Sequence, residues 1–94
     1  MRTIEWTRQF KRDHRRVKAT PRYKDIDVVL EFVTNLLTHD KRLPSKFLDL
    51  PLTGPWKGFR ECHLHPNLLL IYYKGRPGAL RMTRLGSHSE LFEE

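Results

Sequence analysis

The sequence has one cysteine, few glycines and no long apolar run, and each shortage excludes a class of protein. Cys62 cannot form an intramolecular disulfide, which favours a reducing cytoplasm. The longest apolar run, 68–73, is far too short to span a bilayer, so no membrane role is expected. The first residues lack the apolar stretch of a secretory signal. No Gly-rich phosphate loop is present, and no serine lies in a recognisable nucleophile motif.

The positive charge is concentrated near the N-terminus. The 94 residues include 18 Lys or Arg and 11 Asp or Glu, which gives a formal net charge of +7. Residues 1–24 contain nine of the basic residues and two acids, so this segment carries the whole excess. A dense basic face suits a polyanion such as RNA. A solvated helix face, an acidic protein or a membrane surface fits the same run, so charge alone does not identify a partner.

The first forty residues predict a strand followed by two helices. Apolar and polar residues alternate over 4–6, as in a short strand, and Thr7 is suited to cap the helix that follows. The second helix is the clearest element, because apolar residues over 26–37 recur at the spacing of a core-facing stripe. Thr20-Pro21 predicts its start and 39–40 its end.

The second half predicts a three-stranded meander and a short closing helix. A loop with brief extended pieces covers 41–55, and the predicted strands are 57–64, 68–74 and 79–85. Ser87 and Glu90 form a capping box that opens the closing helix. The order β-α-α-β-β-β-α predicts a single α+β domain over 1–94, with two N-terminal helices packed on one face of a small, mostly antiparallel sheet. The other face is then free for a site.

Three histidines, one arginine and one phenylalanine are the candidates for chemistry. His63 and His65 lie two residues apart in one predicted strand, so we expect them on the same face. Arg84 ends the last predicted strand, and His88 and Phe92 lie four residues apart on one side of the closing helix. We expect the end of that strand and the start of the helix to form a pocket.

Metal-independent RNA cleavage would use this set of side chains. The reaction needs a base for the 2′-hydroxyl and an acid for the departing 5′-oxygen, and histidine suits both tasks. Arginine stabilises phosphate charge, and an aromatic ring stacks on a base. Each residue also fits a structural role: a surface histidine, a salt bridge for Arg84, a core contact for Phe92. Two histidines with a cysteine on the other face give no standard zinc spacing, so no metal or other cofactor is expected.

Several segments resemble the YafQ-type toxins of the RelE/ParE superfamily in order and spacing. They are Asp49-Leu50-Pro51-Leu52, 54–61, 62–67, Leu70-Ile71-Tyr72 and 84–92, together with Phe10 in the first helix. The resemblance implies a RelE-like fold and a ribosome-dependent mRNA endonuclease neutralised by a small antitoxin. It also implies catalytic or RNA-binding roles for His63, Arg84, His88 and Phe92.

The sequence departs from this family at two positions. The family usually has a histidine where this chain has Leu50, and an aspartate where it has Asn67. Leucine cannot transfer a proton, and an amide cannot act as a base. Either cleavage is slower or another group substitutes, and His65 is the candidate because we expect it beside His63.

We therefore expect His63 and His88 to divide the proton transfers, Arg84 to stabilise the phosphate and Phe92 to orient a base. We expect ribosomal RNA to be bound by basic residues of the first helix, namely Lys11, Arg12, Arg15, Arg16 and Lys18. One alternative is a ParE-like inhibitor of DNA gyrase, although such proteins generally lack these histidines. The other is a catalytically weakened toxin or a non-enzymatic nucleic-acid binder.

Overall fold

Five strands form one sheet, and two helices cover one of its faces. The computed structural model describes residues 1–92. Its strands and helices, in chain order, are β1 (Thr3–Trp6), α1 (Arg8–Lys18), α2 (Ile26–Thr38), β2 (Leu50–Pro51), β3 (Phe59–His65), β4 (Leu68–Tyr73), β5 (Ala79–Gly86) and α3 (His88–Phe92). The strand order is β1-β5-β4-β3-β2, with β1 parallel to β5 and the other pairs antiparallel. The predicted α+β fold is confirmed, and β2 is a short strand within the predicted loop.

The main core lies between the sheet and the helices α1 and α2. Strand β4 is in the middle of the sheet, and its alternate residues divide between the two faces. Leu68, Leu70 and Tyr72 pack into the helix-covered core. Leu69 and Ile71 pack on the opposite face, where α3 contributes Leu91. An apolar run buried on both faces is what a central strand requires, as the sequence predicted.

Helix α1 begins as predicted. The Thr7 hydroxyl accepts a hydrogen bond from the backbone amide of Phe10 at 2.9 Å, which caps the first turn. Phe10 and Val17 are buried as expected. Asp13 is buried with them, since the spacing 10, 13 and 17 places all three on one side of the helix.

Helix α2 begins later than the sequence predicted. Thr20-Pro21 opens a 3₁₀ turn over Pro21–Tyr23, and the α-helix starts at Ile26. The amide of Tyr23 donates to the Thr20 carbonyl oxygen at 2.9 Å. This tight turn, which ends at Lys24, separates α1 from α2. The end of α2 at Thr38 agrees with the prediction. No helix within residues 1–92 combines the length and apolarity needed to cross a membrane.

Asp40 connects the end of α2 to two strand ends. Its backbone adopts a left-handed φ of 54°. Its carboxylate accepts hydrogen bonds from Lys74 Nζ at 2.9 Å and from Arg2 Nε at 2.7 Å. These hydrogen bonds, that from Lys74 first, lower the pKa of Asp40 to about 2. The charged carboxylate is therefore the form that holds the strand ends to the helix.

We predict that Asp40→Asn removes part of the acid sensitivity of folding. A carboxylate whose folded pKa lies below the unfolded value of about 3.9 stabilises the fold above that pH and loses this effect as the pH falls towards the folded pKa. Asparagine tolerates the left-handed backbone, so the substitution adds little strain. Denaturant titrations should show a shallower decline in unfolding free energy for the variant below about pH 4. Glu31→Gln is the control, because Glu31 forms no ion pair among the residues described, and parallel curves for Asp40→Asn and wild type would contradict the prediction.

Candidate active site

His63, His88 and Phe92 border the sheet face that α1 and α2 leave free. The strand register places His63 opposite Leu69, and Leu69 opposite Gly86. Neighbouring strands lie about 4.8 Å apart, so the backbones at His63 and Gly86 are separated by roughly 10 Å. His88 follows Gly86 by two residues, in the first turn of α3. The two histidines thus lie at the same end of the sheet, on either side of β4.

One nitrogen of the His63 ring, Nδ1, is buried without a hydrogen-bond partner among the described residues. Because Nδ1 is the buried nitrogen, a substrate would be contacted through the other ring nitrogen, Nε2. The residue is half-buried, so the sheet restricts its orientation while leaving part of it accessible.

His65 does not share a face with His63, and that prediction is wrong. The pairing of β3 with β4 is irregular between the two residues, so that His63 is opposite Leu69 while His65 is opposite Leu68, which belongs to the helix-covered core. The His65 ring packs against Tyr23 with ring centroids 5.3 Å apart, and its Nε2 lies 2.8 Å from an Asp25 carboxylate oxygen. A strand bulge reverses the alternation on which the prediction depended. His65 therefore joins β3 to the start of α2 and lies away from the free face.

Arg84 lies opposite Ile71 in the register and is held by a residue that the sequence analysis did not single out. Its Nε donates to Asp13 Oδ2 at 2.7 Å, and its Nη2 donates to Asp13 Oδ1 at 3.3 Å. These hydrogen bonds raise the pKa of Arg84 and keep it charged. Burial raises the pKa of Asp13, but hydrogen bonds from Arg84, the Leu85 amide and Arg16 outweigh it, so the pKa is lowered overall. A charged residue at the spacing of the buried stripe with Phe10 was the signal that could have identified Asp13.

His88 and Phe92 contact each other as their spacing predicted. Their ring centroids lie 4.9 Å apart with an interplanar angle of 66°. Phe92 also meets Trp56 edge-on at 6.3 Å, and Trp56 meets Phe59 at 5.2 Å. Phe92 is half-buried while His88 is exposed. The phenyl ring therefore has both a packing role and an accessible part.

The capping box of α3 holds these residues at the end of β5. The Ser87 amide donates to Glu90 Oε1 at 2.8 Å, and the Glu90 amide donates to Ser87 Oγ at 3.2 Å, as predicted. Arg16 Nε lies 3.5 Å from Glu90 Oε2, which ties α1 to α3. The helix start that carries His88 is therefore anchored both locally and by α1.

The two positions that depart from the family lie at different places. Leu50 in β2 is opposite Glu61, and the residue is 52% exposed. Glu61 is opposite Ile71, so position 50, Glu61, Ile71 and Arg84 form one row across four strands. Asn67 lies exposed in the turn between β3 and β4. Position 50, where the family usually has a histidine, is thus next to the Glu61 carboxylate on the free face.

The five basic residues proposed for RNA binding do not form one surface. Lys11, Arg15 and Lys18 line a groove of about 1090 Å³ between α1, α2 and β1, which contains none of the proposed catalytic residues. Arg16 instead points towards α3 and donates to the Leu85 carbonyl oxygen at 3.2 Å. Arg12 is exposed and does not line the groove. Helix α1 therefore presents positive charge in two directions.

Comparison with known proteins agrees with this architecture. The family described as bacterial toxin of type II toxin–antitoxin system, YafQ, matches residues 2–93. The chain belongs to this family, and it is thus a toxin of the type II toxin–antitoxin class.

Its relatives are similar over almost their whole length. The mRNA interferase toxin YafQ of Escherichia coli K12 is 39% identical over 92 residues, which cover 97% of this chain and 96% of that protein. The crystal structure of YafQ from E. coli BL21(DE3) is 34% identical and superposes with a TM-score of 0.84, covering 98% of this chain and 99% of that one. YafQ in the E. coli DinJ–YafQ complex is 35% identical with a TM-score of 0.83, at the same coverage.

We predict that Gly86→Ala loosens α3. A Cβ at this position would lie 3.0 Å from Glu90 Oε1 and 3.2 Å from both Arg16 Nη2 and Leu91 Cδ2, closer than packed atoms normally approach. Relief of that crowding requires the side chains of Glu90 and Leu91 in α3, and of Arg16, to give by a few tenths of an ångström. Because these side chains anchor α3, we expect the helix to be held less firmly and a loss of stability of about 1–2 kcal/mol. Thermal melting gives the stability, and hydrogen exchange at the Leu91 amide reports the helix. Unchanged protection at Leu91 would contradict the prediction.

Proposed function

We propose that this toxin is an mRNA interferase, an endoribonuclease that cuts messenger RNA on the ribosome without a metal ion. The observation that carries the proposal is that His63, His88 and Phe92 border one free sheet face in a chain of the YafQ family. Arg84 lies in the row of paired residues that contains Glu61 and Ile71, which is adjacent on this face to the row that contains His63, and it keeps its charge. These groups supply proton transfer, phosphate stabilisation and base stacking.

In the proposed reaction, one histidine takes the proton of the 2′-hydroxyl and the other protonates the 5′-oxygen that leaves. The 2′-oxygen then bonds to phosphorus as the bond to the 5′-oxygen breaks. His63 and His88 divide these two transfers, and the guanidinium of Arg84 stabilises the negative charge that collects on the phosphate oxygens. Phe92, next to His88, orients a flanking base.

The lost histidine at position 50 needs a substitute, and Glu61 is better placed for that role than His65. Glu61 lies directly opposite Leu50 and two residues before His63 on the same strand. His65 is turned to the other face and engaged with Asp25. A carboxylate beside the histidines can accept or steer a proton. A second candidate function is a catalytically weakened toxin that binds RNA. It is favoured by Leu50 and Asn67, which replace the histidine and the aspartate that the family usually has.

We further propose a small antitoxin protein as the binding partner and the cytoplasm as the location, where ribosomes and mRNA are found. An E. coli relative has been crystallised with DinJ, and the related curated protein is called an mRNA interferase. That name favours RNA cleavage over the ParE-like alternative of gyrase inhibition. The whole activity is assigned to one RelE-like domain over residues 1–94.

We predict that His63→Ala and His88→Ala each reduce mRNA cleavage by about a hundredfold or more, because each removes a proton-transfer group. His65→Ala is the matched control and should cleave at a rate near that of wild type. Primer extension on message from induced cells, or from a translating extract, measures the cuts. The proposal fails if His88→Ala cleaves like wild type, and the reassignment of His65 fails if His65→Ala loses cleavage.

We predict that reversing the charge of Lys11, Arg12 and Arg15 weakens ribosome binding and flattens its salt dependence. These residues form no ion pair within the described part of the chain, so the fold should tolerate the change. Removal of each cation that binds a phosphate should lower the slope of log affinity against log salt by roughly 0.7. Lys41→Glu, Arg42→Glu and Lys46→Glu together make the same charge change in the exposed segment after α2. A salt slope that falls equally in both variants would exclude a specific role for α1.

A further inference from the structure

Asp13 is a buried carboxylate surrounded by donors. Its side chain is 4% exposed, in a helix whose other charged residues mostly point outward. The donors are Arg84 Nε (2.7 Å) and the Leu85 amide (3.0 Å) on Oδ2, with Arg16 Nη1 (3.1 Å) and Arg84 Nη2 (3.3 Å) on Oδ1. Burying a charge is costly unless it is paired and hydrogen-bonded, and here every bond is charge-assisted.

The contact with Asp13 occupies one edge of the Arg84 guanidinium and leaves a second edge without a partner among the described residues. Nε and Nη2 form the edge that faces Asp13, so the fork is held by two bonds and cannot rotate freely. Nη1 forms no hydrogen bond with residues 1–92, and 22% of the side chain is exposed. The edge formed by Nη1 and the second Nη2 proton matches two oxygens of a phosphate group. An arginine can thus be fixed from one side and bind phosphate from another.

We propose that Asp13 is a positioning residue for RNA cleavage, which fixes the Arg84 guanidinium so that its free edge meets the scissile phosphate. This inference rests on the proposed function, because it assigns Arg84 to the reaction. Asp13 touches no substrate and acts through Arg84. A preorganised donor stabilises a transition state without the cost of ordering it during the reaction.

A purely structural role for Asp13 is the competing explanation, since its Oδ2 also accepts the Leu85 amide. Asp13→Asn separates the two roles. An asparagine with its oxygen at the Oδ2 position keeps the bonds from the Leu85 amide and from Arg84 Nε, while its NH₂ group replaces Oδ1 and repels Arg84 Nη2 and Arg16 Nη1. The variant should therefore retain the strand contact and hold the guanidinium by one bond to a neutral acceptor instead of two bonds to a carboxylate, so that the fork is no longer fixed from both nitrogens.

Single-turnover cleavage of ribosome-bound mRNA should be measured for wild type, Asp13→Asn, Arg84→Ala and the double variant. We expect Asp13→Asn to lower the maximal cleavage rate by about tenfold to a hundredfold, with half-saturation by ribosomes little changed. Because Asp13 acts through Arg84, the double variant should be no slower than Arg84→Ala. Asp27→Asn is the matched control: Asp27 pairs with Lys18 of α1, so this variant loosens the helix without touching Arg84.

Nuclear magnetic resonance of the arginine Nε–H groups gives a readout independent of cleavage. The Arg84 signal of wild type should exchange slowly with solvent, and it should exchange faster in Asp13→Asn, where the Nε–H group has a neutral acceptor and the second bond from Nη2 is missing. An Arg84 signal in wild type that exchanges as fast as an exposed arginine would overturn the proposal, even if Asp13→Asn did not fold.

The kinetic outcomes also separate the two proposals. Wild type that cuts no message would overturn the proposed function. If wild type cleaves and Arg84→Ala is impaired, but Asp13→Asn is as fast as wild type, the positioning role alone fails. It fails as well if the double variant shows the two losses multiplied, because Asp13 would then act through the fold.

Discussion

The free edge of β5 is the constraint on which this structure depends. Strand β1 pairs with β5 only from Ala79 to Met82, and the chain then leaves the sheet to form α1. Side chains of Thr7 and α1 then form hydrogen bonds with backbone groups of β5 beyond Met82. Thr7 Oγ1 donates to the Thr83 carbonyl oxygen at 2.7 Å, and Asp13 Oδ2 accepts from the Leu85 amide at 3.0 Å. Arg16 Nη2 donates to the Leu85 carbonyl oxygen at 3.2 Å. Unpaired buried backbone groups are costly, so α1 must keep a polar face towards β5. The same contacts place Arg84 and anchor α3, which joins the basic helix physically to the site.

Two irregularities in strand pairing decide which side chains face the site. Strict alternation would put His65 beside His63 and Arg84 on the same face as Met82. The bulge in β3 moves His65 to the helix-covered face. The second irregularity pairs Met82 with Tyr72 but Arg84 with Ile71, which brings Arg84 to the free face. One shift thus takes His65 away from the proposed site, and the other brings Arg84 to the face on which that site is proposed.

Features coded by neighbouring residues were predictable from the sequence, and those set by distant contacts were not. The Thr7 cap, the stripe of α2 and the Ser87–Glu90 box depend on groups a few residues apart, and all three were predicted. The late start of α2 and the face of His65 depend on how remote segments pack, for which periodicity carries no signal. Asp13 falls between these cases. Its helical spacing with Phe10 could have indicated that it is buried, but its partners in β5 lie more than seventy residues away along the chain.

The position of β5 between β1 and β4 has a consequence for the synthesis of the protein. Strands β3 and β4 are neighbours in sequence and can pair as soon as they leave the ribosome, whereas β1 stays without a partner until β5 has emerged. Arg84 and His88 follow in that same late stretch. Contacts between distant segments form more slowly than contacts between neighbouring ones. A nascent chain of this toxin therefore lacks the complete face proposed for cleavage while most of its length is being made, and its own message meets that face only after the sheet closes.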